Sequence, residues 1–306
     1  MKKGFFLMAM VVSLVMIAGC DKSANPKQPT QGMSVVTSFY PMYAMTKEVS
    51  GDLNDVRMIQ SGAGIHSFEP SVNDVAAIYD ADLFVYHSHT LEAWARDLDP
   101  NLKKSKVDVF EASKPLTLDR VKGLEDMEVT QGIDPATLYD PHTWTDPVLA
   151  GEEAVNIAKE LGRLDPKHKH SYTKNAKAFK KEAEQLTEEY TQKFKKVRSK
   201  TFVTQHTAFS YLAKRFGLKQ LGISGISPEQ EPSPRQLKEI QDFVKEYNVK
   251  TIFAEDNVNP KIAHAIAKST GAKVKTLSPL EAAPSGNKTY LENLRANLEV
   301  LYQQLK

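Results

Sequence analysis

The sequence predicts an α/β protein made of two βα lobes with parallel-type sheets, joined by one long rigid helix, with a cleft between the lobes. Three observations lead there. Short apolar runs alternate with helix-like stretches through both halves of the chain, the βαβ rhythm of a parallel sheet covered by helices. Between the halves, a run of Lys, Glu, Ala and Gln from Asp165 to Val197 reads as one helix of about thirty residues, roughly 45 Å long, more than a single domain needs. Finally, His66, His142 and His206 each stand near a strand-to-helix junction, where open α/β sheets place their ligands.

The chain opens with MKKGFFLMAMVVSLVMIAGC: a basic start at Lys2 and Lys3, an apolar stretch, and a small-residue exit ending in Cys20. Residues 1–19 read as a secretory signal peptide rather than a membrane span. Ile17-Ala18-Gly19-Cys20 resembles a bacterial lipobox, in which cleavage leaves the cysteine to be acylated. Residues 20–32, rich in Pro, Ser, Gln and Lys, read as a lipidated tether too polar to order itself. The expected location is therefore extracytoplasmic, anchored to the cell membrane by lipid on Cys20. Because Cys20 is the only cysteine, the mature chain has no disulfide and no thiolate ligand, and any metal site must use nitrogen and oxygen. Formal charge is 40 − 38 = +2 and falls near zero once Lys2 and Lys3 are removed, so nucleic acid is not an expected partner.

Along the body, Ser34 to Phe39 is a β-branched strand, followed by a helix from Tyr43 to Val49 after Pro41. Val56 to Ile59 is a second strand, leading through Gly62-Ala63-Gly64 to His66 and a helix opening near Glu69-Pro70, where proline suits the first turn. Leu83 to Tyr86 is a third strand, Leu91 to Leu98 a helix and Val107 to Phe110 a fourth strand. Periodicity lapses from Leu116 to Tyr139, and Asp140 to Pro147 leads into a helix ending near Gly162. Asp165 and Pro166 predict the N-cap and first position of the long helix. In the second half, the strand Thr201 to Thr204 delivers His206, and a helix runs from Ala208 to Phe216. The loop ISGISPEQEPSP precedes a helix from Arg235 to Tyr247; then come strand Thr251 to Ala254, helix Pro260 to Thr270 and strand Lys273 to Leu277. That strand delivers Ser278-Pro279-Leu280-Glu281, and a helix from Lys288 to Leu305 closes the chain. The expected division is 33–163 for the N-terminal lobe, 164–199 for the linking helix and 200–306 for the C-terminal lobe.

Imidazole is the commonest protein ligand for a transition metal, but each of the three histidines also has an ordinary structural use. Gly62 and Gly64 let the backbone turn tightly before His66. His142 lies between Asp140 and Asp146; either aspartate could take its second ring N–H and orient it for a metal, or cap the helix that follows. His206, ending an apolar strand, suits a core as well as a site. Glu281 ends the last strand of the second lobe and is the candidate fourth ligand, while Glu255 and Asp256 compete from an equivalent strand end; periodicity does not choose between them. His87 and His89, after the third strand, are candidates to line the cleft or support the ligands from behind. His168, His170 and His264 are assigned to solvent or packing. There is no HExxH helix, GxSxG elbow or GxxxxGK[ST] loop, and Cys20 is committed to lipid, so an enzyme is not expected.

Taken together, SFYP (Ser38 to Pro41), HSFEP (His66 to Pro70), DPHTWTDP (Asp140 to Pro147), the strand-final His206 and SPLE (Ser278 to Glu281) resemble the metal-binding receptor lipoproteins of bacterial ABC importers. The resemblance spans the lipobox to the terminal helix. It implies that the four ligands are His66, His142, His206 and Glu281, two from each lobe, and moves Glu255 to the alternative. Manganese-type relatives generally place two carboxylates at the third and fourth positions. Here three imidazoles and one carboxylate suit tetrahedral Zn²⁺, so the implied cofactor is zinc. Many zinc receptors carry a histidine-rich acidic loop before the second ligand, but Leu116 to Tyr139 contains no histidine, which takes any metal-gathering role from that segment.

The implied function is an extracytoplasmic zinc receptor that delivers Zn²⁺ to the permease of an ABC importer. The nearest resemblance within the family is to zinc receptors that also act as adhesins, which implies laminin as a second partner. Two alternatives stay open: a manganese-type receptor, and an adhesin in which zinc is mainly structural. A metallohydrolase would need an open metal position beside a general base, and none is identifiable.

Overall fold

The computed structural model describes residues 32–59, 64–121, 138–256 and 258–306. The signal segment, Cys20, nearly all of the tether, Gly62 and most of the stretch from Leu116 to Tyr139 lie outside the described residues.

The first lobe holds strands β1 (Ser34–Thr37), β2 (Asp55–Met58), β3 (Leu83–Tyr86) and β4 (Asp108–Glu111), all parallel and ordered β2-β1-β3-β4. Helices α1 (Tyr40–Ser50), α2 (Val72–Asp80) and α3 (Ala93–Leu102) make its connections. The second lobe repeats the plan with β5 (Thr201–Thr204), β6 (Lys219–Gly222), β7 (Thr251–Ala254) and β8 (Lys273–Thr276), ordered β6-β5-β7-β8. Its helices are α6 (Ser210–Arg215), α7 (Pro234–Glu246) and α8 (Lys261–Thr270), and α9 (Tyr290–Leu305) ends the chain. Both sheets are parallel, so all their strands deliver their carboxyl ends to one edge. The two edges face each other across the cleft.

Helix α4 (Pro147–Leu164) leads into the long helix α5 (Lys169–Lys195). At 27 residues, α5 is about 40 Å long, and it buries Tyr172, Ala176, Phe179, Ala183, Leu186, Tyr190 and Phe194. Their three- and four-residue spacing places them on one face. That face joins a core running without a break from Val35 and Trp144 in the first lobe to Phe202, Phe253 and Leu294 in the second. The lobes therefore share apolar packing behind the cleft.

Several boundaries differ from expectation. The long helix starts at Lys169, not at Pro166, and the Asp165 carboxylate is turned to His168 Nδ1 at 2.6 Å and the Tyr172 hydroxyl at 2.8 Å. Helix α2 starts at Val72: Ser71 and Asp74 form a reciprocal capping box that overrides Glu69-Pro70. Strand β6 was not expected; Lys219 and Gln220 give it no apolar run, and it is held as a sheet edge by pairing with β5. No helix among the described residues is long and apolar enough to cross a membrane.

Candidate metal centre

His66 sits in a single 3-10 turn, Ile65–Ser67, entered through Gly64 at φ 87, a left-handed conformation that favours glycine. His142 precedes a second such turn, Thr143–Thr145, after which Asp146 caps α4 by accepting from the Val148 N–H. His206 follows β5, and Glu281 follows β8. Leu280, just before Glu281, is held at φ 59, which costs an L-residue about 1–2 kcal/mol. It stays there because the Leu280 side chain is buried and the preceding Pro279 carbonyl is fixed by the Trp144 indole at 2.8 Å.

These four elements bring one ligand atom each from His66, His142, His206 and Glu281 within 4.8 Å of one another. The His142 Nε2 lies 3.4 Å from that of His66 and 3.3 Å from that of His206. Glu281 Oε1 is 3.5, 3.7 and 3.1 Å from the Nε2 atoms of His66, His142 and His206. A tetrahedron of ligands about 2.0–2.1 Å from a central zinc has edges of about 3.3–3.4 Å. The five distances cluster around that edge length. Glu281 Oε1 is buried without a properly aligned hydrogen bond, an expensive position for a carboxylate unless a cation compensates.

Two of the imidazoles are oriented from behind. His142 Nδ1 lies 2.7 Å from Asp140 Oδ1, and His206 Nδ1 lies 2.6 Å from Glu255 Oε1. An N–H donated to each carboxylate leaves Nε2 as the electron-pair donor pointing inward. Asp140 is fixed in turn by the Ser210 hydroxyl, while the Tyr211 hydroxyl donates to its carbonyl at 2.8 Å. Burial pulls the His142 and His206 pKa values down, but Asp140 outweighs it at His142, and Glu255 with Glu281 raises His206 to about 10. At His66 burial wins and the pKa falls despite Glu281. Burial alone would raise the Glu281 carboxyl; the surrounding imidazoles hold it well below the ordinary range.

The remaining candidates fall elsewhere. Glu255 touches the outer nitrogen of His206, not the convergence point. Asp146 does not orient His142: besides capping α4 it pairs with Arg215 at 2.9 Å. His87 lines no cleft. It is fully buried behind Trp144, with Nε2 2.8 Å from Thr143 Oγ1 and 3.2 Å from Glu153 Oε1. His89 contacts the Tyr86 hydroxyl at 2.7 Å, away from the four atoms. Sequence reasoning missed the contacts that lock the two sides together: Trp144 to Pro279, Tyr290 to the Trp144 carbonyl at 2.7 Å, and Thr145 to the Ala208 carbonyl at 3.0 Å. Trp144 offered the one signal, an indole N–H beside a candidate ligand, since a buried indole needs an acceptor.

Residues 35–304 match the family model described as zinc-uptake complex component A, periplasmic. The chain belongs to this family. It is 36% identical to the high-affinity zinc uptake system protein ZnuA of Bacillus subtilis, over 99% of this chain and 98% of that protein. It is 35% identical to the zinc-binding lipoprotein AdcA of Streptococcus pneumoniae over 99% of this chain, but spans only 61% of AdcA's length. Among solved structures, the laminin-binding protein Lmb of Streptococcus agalactiae, described as bifunctional with adhesin and metal-transporting activity, is 93% identical. It superposes with a TM-score of 0.84 over 90% of this chain and all of that one. The two-lobed plan is thus the plan of this zinc-uptake family.

Proposed function

We propose that the chain is a zinc receptor that holds Zn²⁺ between its lobes through His66, His142, His206 and Glu281 and passes it to the permease of an ABC importer. The observation carrying this reading is the set of distances around Glu281 Oε1 and His142 Nε2, which has the edge length of a zinc tetrahedron. All four corners being protein atoms favours holding an ion over catalysis, which needs an open position. Three imidazoles favour zinc over manganese, whose preferred ligands are oxygen. Lipid on Cys20 would keep the receptor beside its permease, with residues 20–32 as the tether. The lobes would be 33–163 and 200–306, with 164–199 between them.

Metal analysis of the dialysed protein, followed by zinc and manganese competition, tests the reading. One tightly held zinc per chain is expected, lost on alanine substitution at His66, His142 or His206. Tight manganese with weak zinc would reverse the metal assignment.

Identity of 93% to Lmb favours a second role, adhesion to laminin. Immobilised laminin should retain both the wild-type protein and a His142→Ala variant if the adhesive surface is separate from the cleft. Loss of retention only in the variant would make zinc structural for adhesion.

A further inference from the structure

Beside the four converging atoms lies a cavity of about 20 Å³, room for about one water molecule. Gly64 lines it from the first lobe, and Glu255, Asp256, Val258, Pro279 and Glu281 line it from the second. The state of Glu255 there is unusual. One of its oxygens, Oε1, accepts from the His206 backbone N–H at 3.1 Å and faces the ring Nδ1 at 2.6 Å. The other, Oε2, is buried with no hydrogen-bond partner, in a residue only 6% exposed. Glu281, also among the lining residues, turns Oε1 to the three imidazoles, 3.1 Å from the nearest, without an aligned hydrogen bond. Leaving a buried acceptor unpaired is unfavourable, and more so when it is charged. Asp256 is exposed, which puts a third carboxylate on the solvent side of this pair.

We propose that this cavity is the inlet of the zinc site: a divalent cation arrives past Asp256, is held transiently by Glu255 Oε2 and Glu281, and then moves onto the three imidazoles. The inlet rests on the reading of those four residues as the zinc ligands. A space for one water cannot pass a fully hydrated ion, so the cation sheds its waters on the way in; Glu255 Oε2, which has no partner, replaces the first of them, and Glu281 Oε1 carries the ion on to the imidazoles it already faces. Glu255 can serve because its other oxygen keeps its hold on His206 throughout. The three acids also concentrate cations at the opening, an effect that weakens with salt.

Stopped-flow zinc binding by the full chain, read alongside equilibrium affinity, tests the inlet with Asp256→Asn and Val258→Trp. Neither residue belongs to the tetrahedron. Val258→Trp narrows the passage and should slow association and dissociation together, by about fivefold or more, with affinity held within about twofold. Asp256→Asn, a change at an exposed position, keeps the test decisive if the bulky variant does not fold. It should slow association about threefold at low salt and flatten the salt dependence. Unchanged rates in the folded variants would overturn the inlet and leave the zinc site standing. Failure of the wild-type chain to bind one zinc would overturn the site itself, and the inlet with it.

Discussion

The Trp144 indole donates across the cleft to the carbonyl of Pro279, 2.8 Å away, tying a turn two residues past His142 to one two residues before Glu281. Trp144 is fully buried and packs on His142, with ring centroids 5.1 Å apart. Trp144→Phe keeps an aromatic ring but strands the Pro279 carbonyl, at a cost of about 2 kcal/mol or more. Thermal unfolding should show that loss, and zinc titration should show weaker binding, because Leu280 is then no longer held at its unfavourable φ and Glu281 is released.

Glu255→Gln and Asp140→Asn each remove a charge from behind an imidazole without changing its volume. Zinc affinity should fall about 10- to 100-fold in each, measured by competition with a chelator of known affinity. The two effects should be separable, since the carboxylates act on different histidines, His206 and His142.

The pH dependence follows from the directions of the shifts. His142 and His206 are raised above 6.5, His206 to about 10, while His66 is lowered. At pH 6 the metal-free protein therefore carries protons on His142 and His206, and zinc must displace both. Affinity should rise with pH by more than about tenfold and at most about 100-fold per unit near pH 6, and less steeply once His142 has lost its proton. Those two protonated rings also stabilise the metal-free fold: their contribution is complete below 6.5 and is lost as pH rises through the folded values. Glu281 and Asp140 are both lowered, so neither adds protons to the exchange in this range. Calorimetric titrations in buffers of different ionisation enthalpy count the protons released.

Gly64→Ala tests the turn that carries His66. An added Cβ meets nothing closer than 3.7 Å, so the penalty comes from the backbone alone: φ 87 costs an L-residue about 1–2 kcal/mol. Zinc affinity should drop by up to about tenfold, with little change in unfolding temperature if the turn relaxes locally.

The strands were most legible where they are fully buried. Leu83–Tyr86, Thr201–Thr204 and Thr251–Ala254 read as continuous β-branched and aromatic runs because helices cover both faces of the sheet. Lys219–Gly222 escaped notice because an edge strand can stay polar. The capping box at Ser71 and Asp74 was readable, but Pro70 drew the helix start toward itself. Within the site, position near strand-to-helix junctions pointed to the three histidines, although only His206 closely follows a strand, while His66 and His142 sit at 3-10 turns. The choice between Glu281 and Glu255 could not be read, since both follow parallel strands. It depends on Leu280 at φ 59 and on a contact between residues 135 apart, Trp144 and Pro279.

X-ray absorption at the zinc edge, on the zinc-loaded protein, examines the tetrahedron most directly. We expect four nitrogen or oxygen neighbours at about 2.0–2.1 Å, with outer-shell scattering from three imidazoles. A shell of five or six oxygen-dominated neighbours, or one with fewer than three imidazoles, would contradict a site made of His66, His142, His206 and Glu281.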